Sequence, residues 1–205
     1  MNQSQEFLEF VRGRRSVRKF REDPVDREVL DWIVEVASWA FSASNRQDWE
    51  FAFITSLPIK KKMGEMVRAR WKSILEEKNV GSVTEELQPY SKNFDWFSDA
   101  PVLMVISAKR PQSFLYHLLG DAAEDVAGTK LSAAMAAQNV MLAAHAAGLG
   151  SCCITGALVA QDSLRELLGL GQRKEIVCLV ALGYPAEQPV APSRKPLERI
   201  LRYVE

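Results

Sequence analysis

Apolar residues along this chain change period several times, and each change marks an element. Phe7, Phe10 and Val11 recur at helical spacing, and the basic stretch 12–21 reads as the exit from that short helix, closed off by Pro24. Asp26 stands where an N-cap belongs, ahead of a helix whose Val29, Ile33, Val36, Ala37 and Ala40 make one stripe. Over 50–55 the period drops to two, with Phe51 and Phe53 on one side and Ala52 and Ile54 on the other. Both faces are apolar, which predicts a buried strand. Pro58 suits the first turn of a long helix that Met63, Met66, Val67, Trp71, Ile74 and Leu75 carry to Glu77.

Residues 102–107 and 176–182 are continuous apolar runs of strand length and predict two central strands. Between them the alanine-rich stretch 129–147 predicts a long helix stopped by Gly148, followed by a short strand over 151–155. Leu164, Leu167 and Leu168 predict a short helix ending at Gly169, and Pro196 can open a last one using Leu197, Ile200 and Leu201. Few strands separated by long helices give an α+β fold, a three-layer mixed β-sheet flanked by helices, in one domain over 1–205. Residues 78–99 have no clear period yet carry Tyr90, Phe94, Trp96 and Phe97, so they are a candidate lid.

Composition narrows the function classes. Lysine plus arginine and aspartate plus glutamate both total 26, so no global field draws the chain to nucleic acid or to an anionic membrane. Three cysteines, Cys152, Cys153 and Cys178, are too few and wrongly spaced for structural zinc, and their odd number argues against a disulfide framework. A reducing, cytoplasmic setting fits, and the first ten residues read as neither a signal peptide nor a membrane span. His117 and His145 lack metal-ligand spacing and read as structural.

Two polar segments could carry chemistry. In an extended backbone Arg14, Ser16 and Arg18 share one side while Val17 faces the core, so two guanidinium groups and a hydroxyl converge as a phosphate monoester requires. An ordinary solvated basic turn has the same residues. The loop 41–49 contains Asn45 and Gln47, whose amides donate and accept at once, and equally reads as a polar connection with Trp49 in the core. Cys153, Ile154, Thr155 and Gly156 read on their own as a buried strand ending in a glycine turn.

Taken in order, the arginine-serine-arginine run, the loop Ser42-Ala43-Ser44-Asn45-Arg46-Gln47-Asp48-Trp49, the stretch 136–153, Leu182-Gly183-Tyr184-Pro185 and Ser193-Arg194-Lys195-Pro196-Leu197 resemble the nitroreductase family. The resemblance leaves 60–99 and 111–128 unplaced, and the loop departs from many relatives in having Phe41 and Asp48 where they carry proline. It implies that Arg14, Arg15, Ser16 and Arg18 hold the phosphate and ribityl chain of FMN, with Arg194 as a further phosphate ligand. It implies a homodimer in which Ser42, Ser44, Asn45 and Gln47 reach the partner chain's cofactor. It also implies that Cys153, Ile154, Thr155 and Gly156 lie against the flavin ring.

The expected activity is FMN-dependent reduction of nitroaromatic, quinone or related small-molecule acceptors, with NAD(P)H as transient reductant in ping-pong turnover. The flavin owns that chemistry, so no catalytic side chain is named. No Gly-x-Gly-x-x-Gly is present for a separate nicotinamide site. Reductive dehalogenation or flavin breakdown in the same pocket, and flavin binding or storage without turnover, are the alternatives.

Overall fold

The computed structural model describes residues 2–77, 94–109, 118 and 124–205, without the side chains of 124–127. Helix α1 (Gln3–Gly13) is capped by Asn2, whose side chain accepts from the Gln5 N–H, and it ends at an extended Arg14. The basic stretch leaves it in extended form, as its position suggests. A parallel bridge then joins Ser16 to Ser151, and an antiparallel one joins Phe20 to Pro185.

Among the described residues four strands follow in the order β1-β2-β4-β3: β1 (Trp49–Ile54), β2 (Val102–Lys109), β3 (Gly150–Ile154) and β4 (Lys174–Gly183). Their ladders are antiparallel, and the bridge at Ser16 supplies the parallel pairing. The two continuous apolar runs are the central strands, because a strand covered on both faces has no polar side to show. Met104 and Ile106 enter one cluster while Leu103 and Val105 enter the other. A register shift after Ile106 pairs Ser107 with Ile176, so Ile176 and Cys178 face opposite layers despite their even spacing. The first strand keeps its predicted alternation but lies at the sheet edge, and Trp49, Phe51 and Phe53 are only half-buried against the first layer.

On that side lie α2 (Arg27–Ser38) and the long α4 (Glu124–Ala146). Asp26 is the N-cap residue of α2 but makes no side-chain cap bond, and Leu30 joins Ile33 and Ala37 in the core. Ala136, Ala137, Ala143 and Ala144 bury almost completely along α4. The helix stops where predicted: Gly148 takes φ 74, and the Leu149 N–H reaches back to the Ala144 carbonyl at 2.8 Å. The opposite layer is α3 (Leu57–Glu77), the turn Gly156–Ala160 and α5 (Gln161–Leu167). Residues 78–93 of the candidate lid, with Tyr90, and also His117 lie outside the described residues.

The expected C-terminal helix reduces to one 3-10 turn, Leu197–Arg199, with Leu197, Ile200 and Leu201 exposed. Short helices depend on burying an apolar face, and among the described residues this tail finds no surface to bury against.

Within α3, Lys60 is buried and its Nζ donates to the carbonyls of Ala100 and Pro101, the latter at 2.8 Å. Burial pushes its pKa below 10.5, while Asp99 pulls the other way. The unfolded chain therefore holds that proton to higher pH than the folded one. This group's contribution makes stability rise with pH between the lowered folded value and 10.5. The stability difference between wild type and Lys60→Met, measured by urea unfolding across the alkaline range, should show that slope. A pH-independent difference would refute it.

Candidate functional site

The basic run is positioned by strand pairing and by one tight contact. The Val17 N–H donates to the Ser151 carbonyl at 3.0 Å, and Val17 is buried as the alternation requires. A Cβ on Gly150 would come within 2.8 Å of Val17 Cβ, so only glycine lets the two segments approach this closely.

Arg14 and Arg15 then line a cavity of about 350 Å³ with His145, Gly148, Ser151, Glu187 and Pro189 among its walls. Arg15, which strict alternation sends to the other side, lines it as well. Two polar atoms here are buried with no hydrogen-bond partner among the described residues: Arg14 Nη1 and Ser151 Oγ. Leaving such groups unpaired costs about 1–3 kcal/mol each, more for a charged one, so they mark where a ligand acceptor belongs. Ser16 is half-buried beside this wall, and Arg18 is exposed with a long contact of 3.4 Å to the Ser16 carbonyl.

Glu187 and His145 are residues that sequence reasoning did not assign to a site. Glu187 Oε1 accepts from the backbone N–H groups of Arg18, at 2.6 Å, and Lys19, at 3.0 Å, which fixes the end of the basic run. His145 stacks near Phe10, with ring centroids 5.0 Å apart. Burial lowers its pKa, and the positive charges of Arg14 and Arg15 lower it further, so the imidazole adds no third charge to the cavity at neutral pH. Its place in the last turn before Gly148 was the available signal. Glu187 gave none, since its partner N–H groups are 168 and 169 residues away.

Along β3 the cysteine segment continues from Ser151. Cys153 and Thr155 are exposed, Ile154 is buried, and the Gly156 carbonyl accepts from Trp71 Nε1 at 3.0 Å. Trp71 stacks on Phe94 with centroids 4.3 Å apart and rings 8° from parallel. Asp95 pairs with Arg68, and Asp99 with Lys61 at 2.5 Å, so both ends of the 94–99 segment are tied to α3. An aromatic wall thus stands beside Gly156.

The loop 42–47 is held by several hydrogen bonds and lies elsewhere. Ser44, Asn45 and Gln47 all have φ between 50 and 54, a conformation costing about 1–2 kcal/mol per residue without glycine. Hydrogen bonds offset that cost: Ser42 Oγ accepts from the Gln47 N–H at 2.8 Å, and Gln47 Nε2 donates to Asn45 Oδ1 at 3.1 Å. Ser132 Oγ of α4 accepts from the Ala43 N–H at 3.0 Å, and Arg46 pairs with Asp48 at 2.9 Å.

Ser132 and His145 sit toward opposite ends of α4, separated by roughly 20 Å of helix at 1.5 Å per residue. The structure therefore brings Arg14, Arg15, Ser16 and Ser151 together and continues them into Cys153–Gly156, but it holds Ser42, Ser44, Asn45 and Gln47 far from the cavity of the same chain. Arg194 lies on the exposed tail and lines no part of the cavity.

Residues 11–184 match the model of the Nitroreductase family. An iodotyrosine deiodinase from Hydra vulgaris is 27% identical over 206 residues, covering 98% of this chain and 74% of that protein. Among solved structures, a BluB-like flavoprotein from Clostridium difficile 630 superposes with a TM-score of 0.84 at 25% identity, over 97% of this chain and 99% of that one. An oxidised iodotyrosine deiodinase bound to FMN and 3-iodo-L-tyrosine superposes with a TM-score of 0.75 at 22% identity, over 97% and 98% of the two chains.

Proposed function

Because the chain belongs to the nitroreductase family, we propose that it is an FMN-dependent oxidoreductase that works as a homodimer and passes electrons from NAD(P)H to a small aromatic or quinone acceptor. The observation that carries this reading is the unpartnered, buried Arg14 Nη1 in a cavity shared with Arg15 and with the unpartnered Ser151 hydroxyl. A phosphate monoester supplies the charge and the acceptor oxygens that these groups lack, so the residues present fit FMN.

Arg14 and Arg15 would hold the phosphate, with Ser16 and Arg18 along the chain that leads from it. Cys153, Ile154, Thr155 and Gly156 would lie against the ring, with the Gly156 carbonyl fixed by Trp71. Bound FMN supplies hydride and electron transfer. Ser42, Ser44, Asn45 and Gln47 would act on the partner's cofactor, because the length of α4 keeps them from their own cavity. Exposed apolar side chains at Trp39, Phe41, Leu197 and Ile200 give a second copy a surface to cover. Arg194 would join the phosphate once the tail docks on such a surface. NAD(P)H and the acceptor would take the same exposed place in turn.

Reductive dehalogenation of an aromatic substrate is the second reading, supported by the Hydra relative and by the Trp71–Phe94 wall beside Gly156. The purified protein should show a visible flavin spectrum that NADH or NADPH bleaches anaerobically. A nitroaromatic or quinone should restore it under the first reading, and an iodotyrosine under the second. No bound flavin even after FMN addition would remove both.

A further inference from the structure

We propose that Glu187 is a charge-selecting residue of the arginine cavity: its fixed carboxylate weakens the hold on a doubly charged phosphate and so limits the preference for FMN over unphosphorylated flavin. This rests on the phosphate seat proposed above. The segment that carries Glu187 is paired with the basic run along its length. The Arg21 N–H donates to the Tyr184 carbonyl and the Ala186 N–H to the Lys19 carbonyl, both at 2.9 Å, and Phe20 bridges to Pro185. Glu187 completes this pairing with its side chain, since Oε1 alone accepts from the N–H groups of both Arg18 and Lys19. The carboxylate is therefore held at the cavity wall and does not swing out into solvent.

Anchoring the run does not call for a charge, because a glutamine could accept the same two hydrogen bonds. Successive backbone N–H groups are also a common seat for phosphate, and here a carboxylate of the chain already fills them. A ligand phosphate is left with the side chains, which carry two positive charges, Arg14 and Arg15, against one negative charge, Glu187. Among the described residues neither arginine forms an ion pair with that carboxylate, and Arg14 Nη1 has no hydrogen-bond partner. The three charges thus act on whatever enters the cavity rather than cancelling one another in direct pairs.

The phosphate of FMN carries a charge of about −2 above neutral pH, whereas riboflavin carries none at that end. A cavity of about 350 Å³ is roughly 8 Å across, and over that distance, in water-like surroundings, a unit charge repels a dianion by enough to change Kd about fivefold. Salt weakens this repulsion, and at 1 M, where the screening length is about 3 Å, little of it remains.

The full chain, freed of flavin, and its Glu187→Gln and Glu187→Ala variants should be titrated with FMN and with riboflavin at about pH 8, in about 0.01 M and about 1 M salt. Both substitutions remove the charge, but only glutamine keeps an acceptor for the two N–H groups. The ratio of the FMN and riboflavin affinities therefore separates the charge from any loss of anchoring. The expected result is a rise of about fivefold in the preference for FMN in both variants at low salt, shrinking toward none at high salt. A preference that is unchanged or lowered in the glutamine variant, or a rise that salt does not diminish, overturns the proposal. Arg14→Ala is read alongside: FMN affinity unchanged there removes the phosphate seat itself, whereas weakened binding there, with no gain on changing Glu187, removes only the charge selection.

Discussion

Arg14→Ala is expected to weaken FMN binding by about 1.5–3 kcal/mol, roughly ten- to 150-fold in Kd, the range for a hydrogen bond to a charged group. The expectation follows from the unpartnered Nη1 in the cavity wall. Because that atom makes no hydrogen bond among the described residues, its removal should leave the thermal unfolding of flavin-free protein unlowered, while the holoprotein loses the stabilisation that ligand linkage provides. Arg18→Ala should cost less, since Arg18 is exposed and reaches only a carbonyl of its own segment. Fluorescence titration of FMN with the two variants separates these outcomes. Equal, unchanged affinities would mean that the phosphate is held elsewhere.

The largest effect on stability is expected from Phe97→Ala, at about 3–5 kcal/mol. Phe97 is fully buried in the layer formed with Met63, Val67, Leu103 and Leu164, and it lies in the short turn Trp96–Asp99 that enters β2. The surroundings are a long helix and a central strand, which collapse poorly around a lost ring. A shift in the urea midpoint with unchanged slope is the expected signature. A loss below 1 kcal/mol would mean that the 94–99 segment packs differently. Because Asp95 and Asp99 tie the same segment to α3, and Phe94 stacks on Trp71, the substitution should also loosen the wall beside Gly156.

What the sequence disclosed follows physical lines. The runs 102–107 and 176–182 were legible as central strands because a doubly covered strand must be apolar on both sides. Gly148 and Gly169 were legible as stops because their φ values of 74 and 64 suit glycine. Val17 was legible as the inward member of the basic run, since alternation alone decides it. The shift after Ile106 was not, because a bulge is a choice made between two strands and neither strand carries it alone. Glu187 enters the cavity through contacts with residues far away in sequence, and such convergence leaves no local period, whereas His145 was signalled only by its place in the last turn before Gly148. The left-handed residues 44, 45 and 47 escaped for a related reason: the bonds within the loop are joined by anchoring of Ala43 to Ser132 and of Arg46 to Thr129, which lie far away in sequence. The C-terminal helix was overestimated because start signals and apolar residues are local, whereas the surface that would bury them is not.

In the proposed dimer, helix α4 would also set the phase of the assembly. Deleting one residue from its middle would shorten the separation of its ends by about 1.5 Å and rotate one end against the other by about 100°. The arginine cavity and the 42–47 loop would then no longer be aimed in directions that a two-fold axis can reconcile. The spacing between the two is a single shared dimension. An alteration there would be felt at both cofactor positions of a dimer at once.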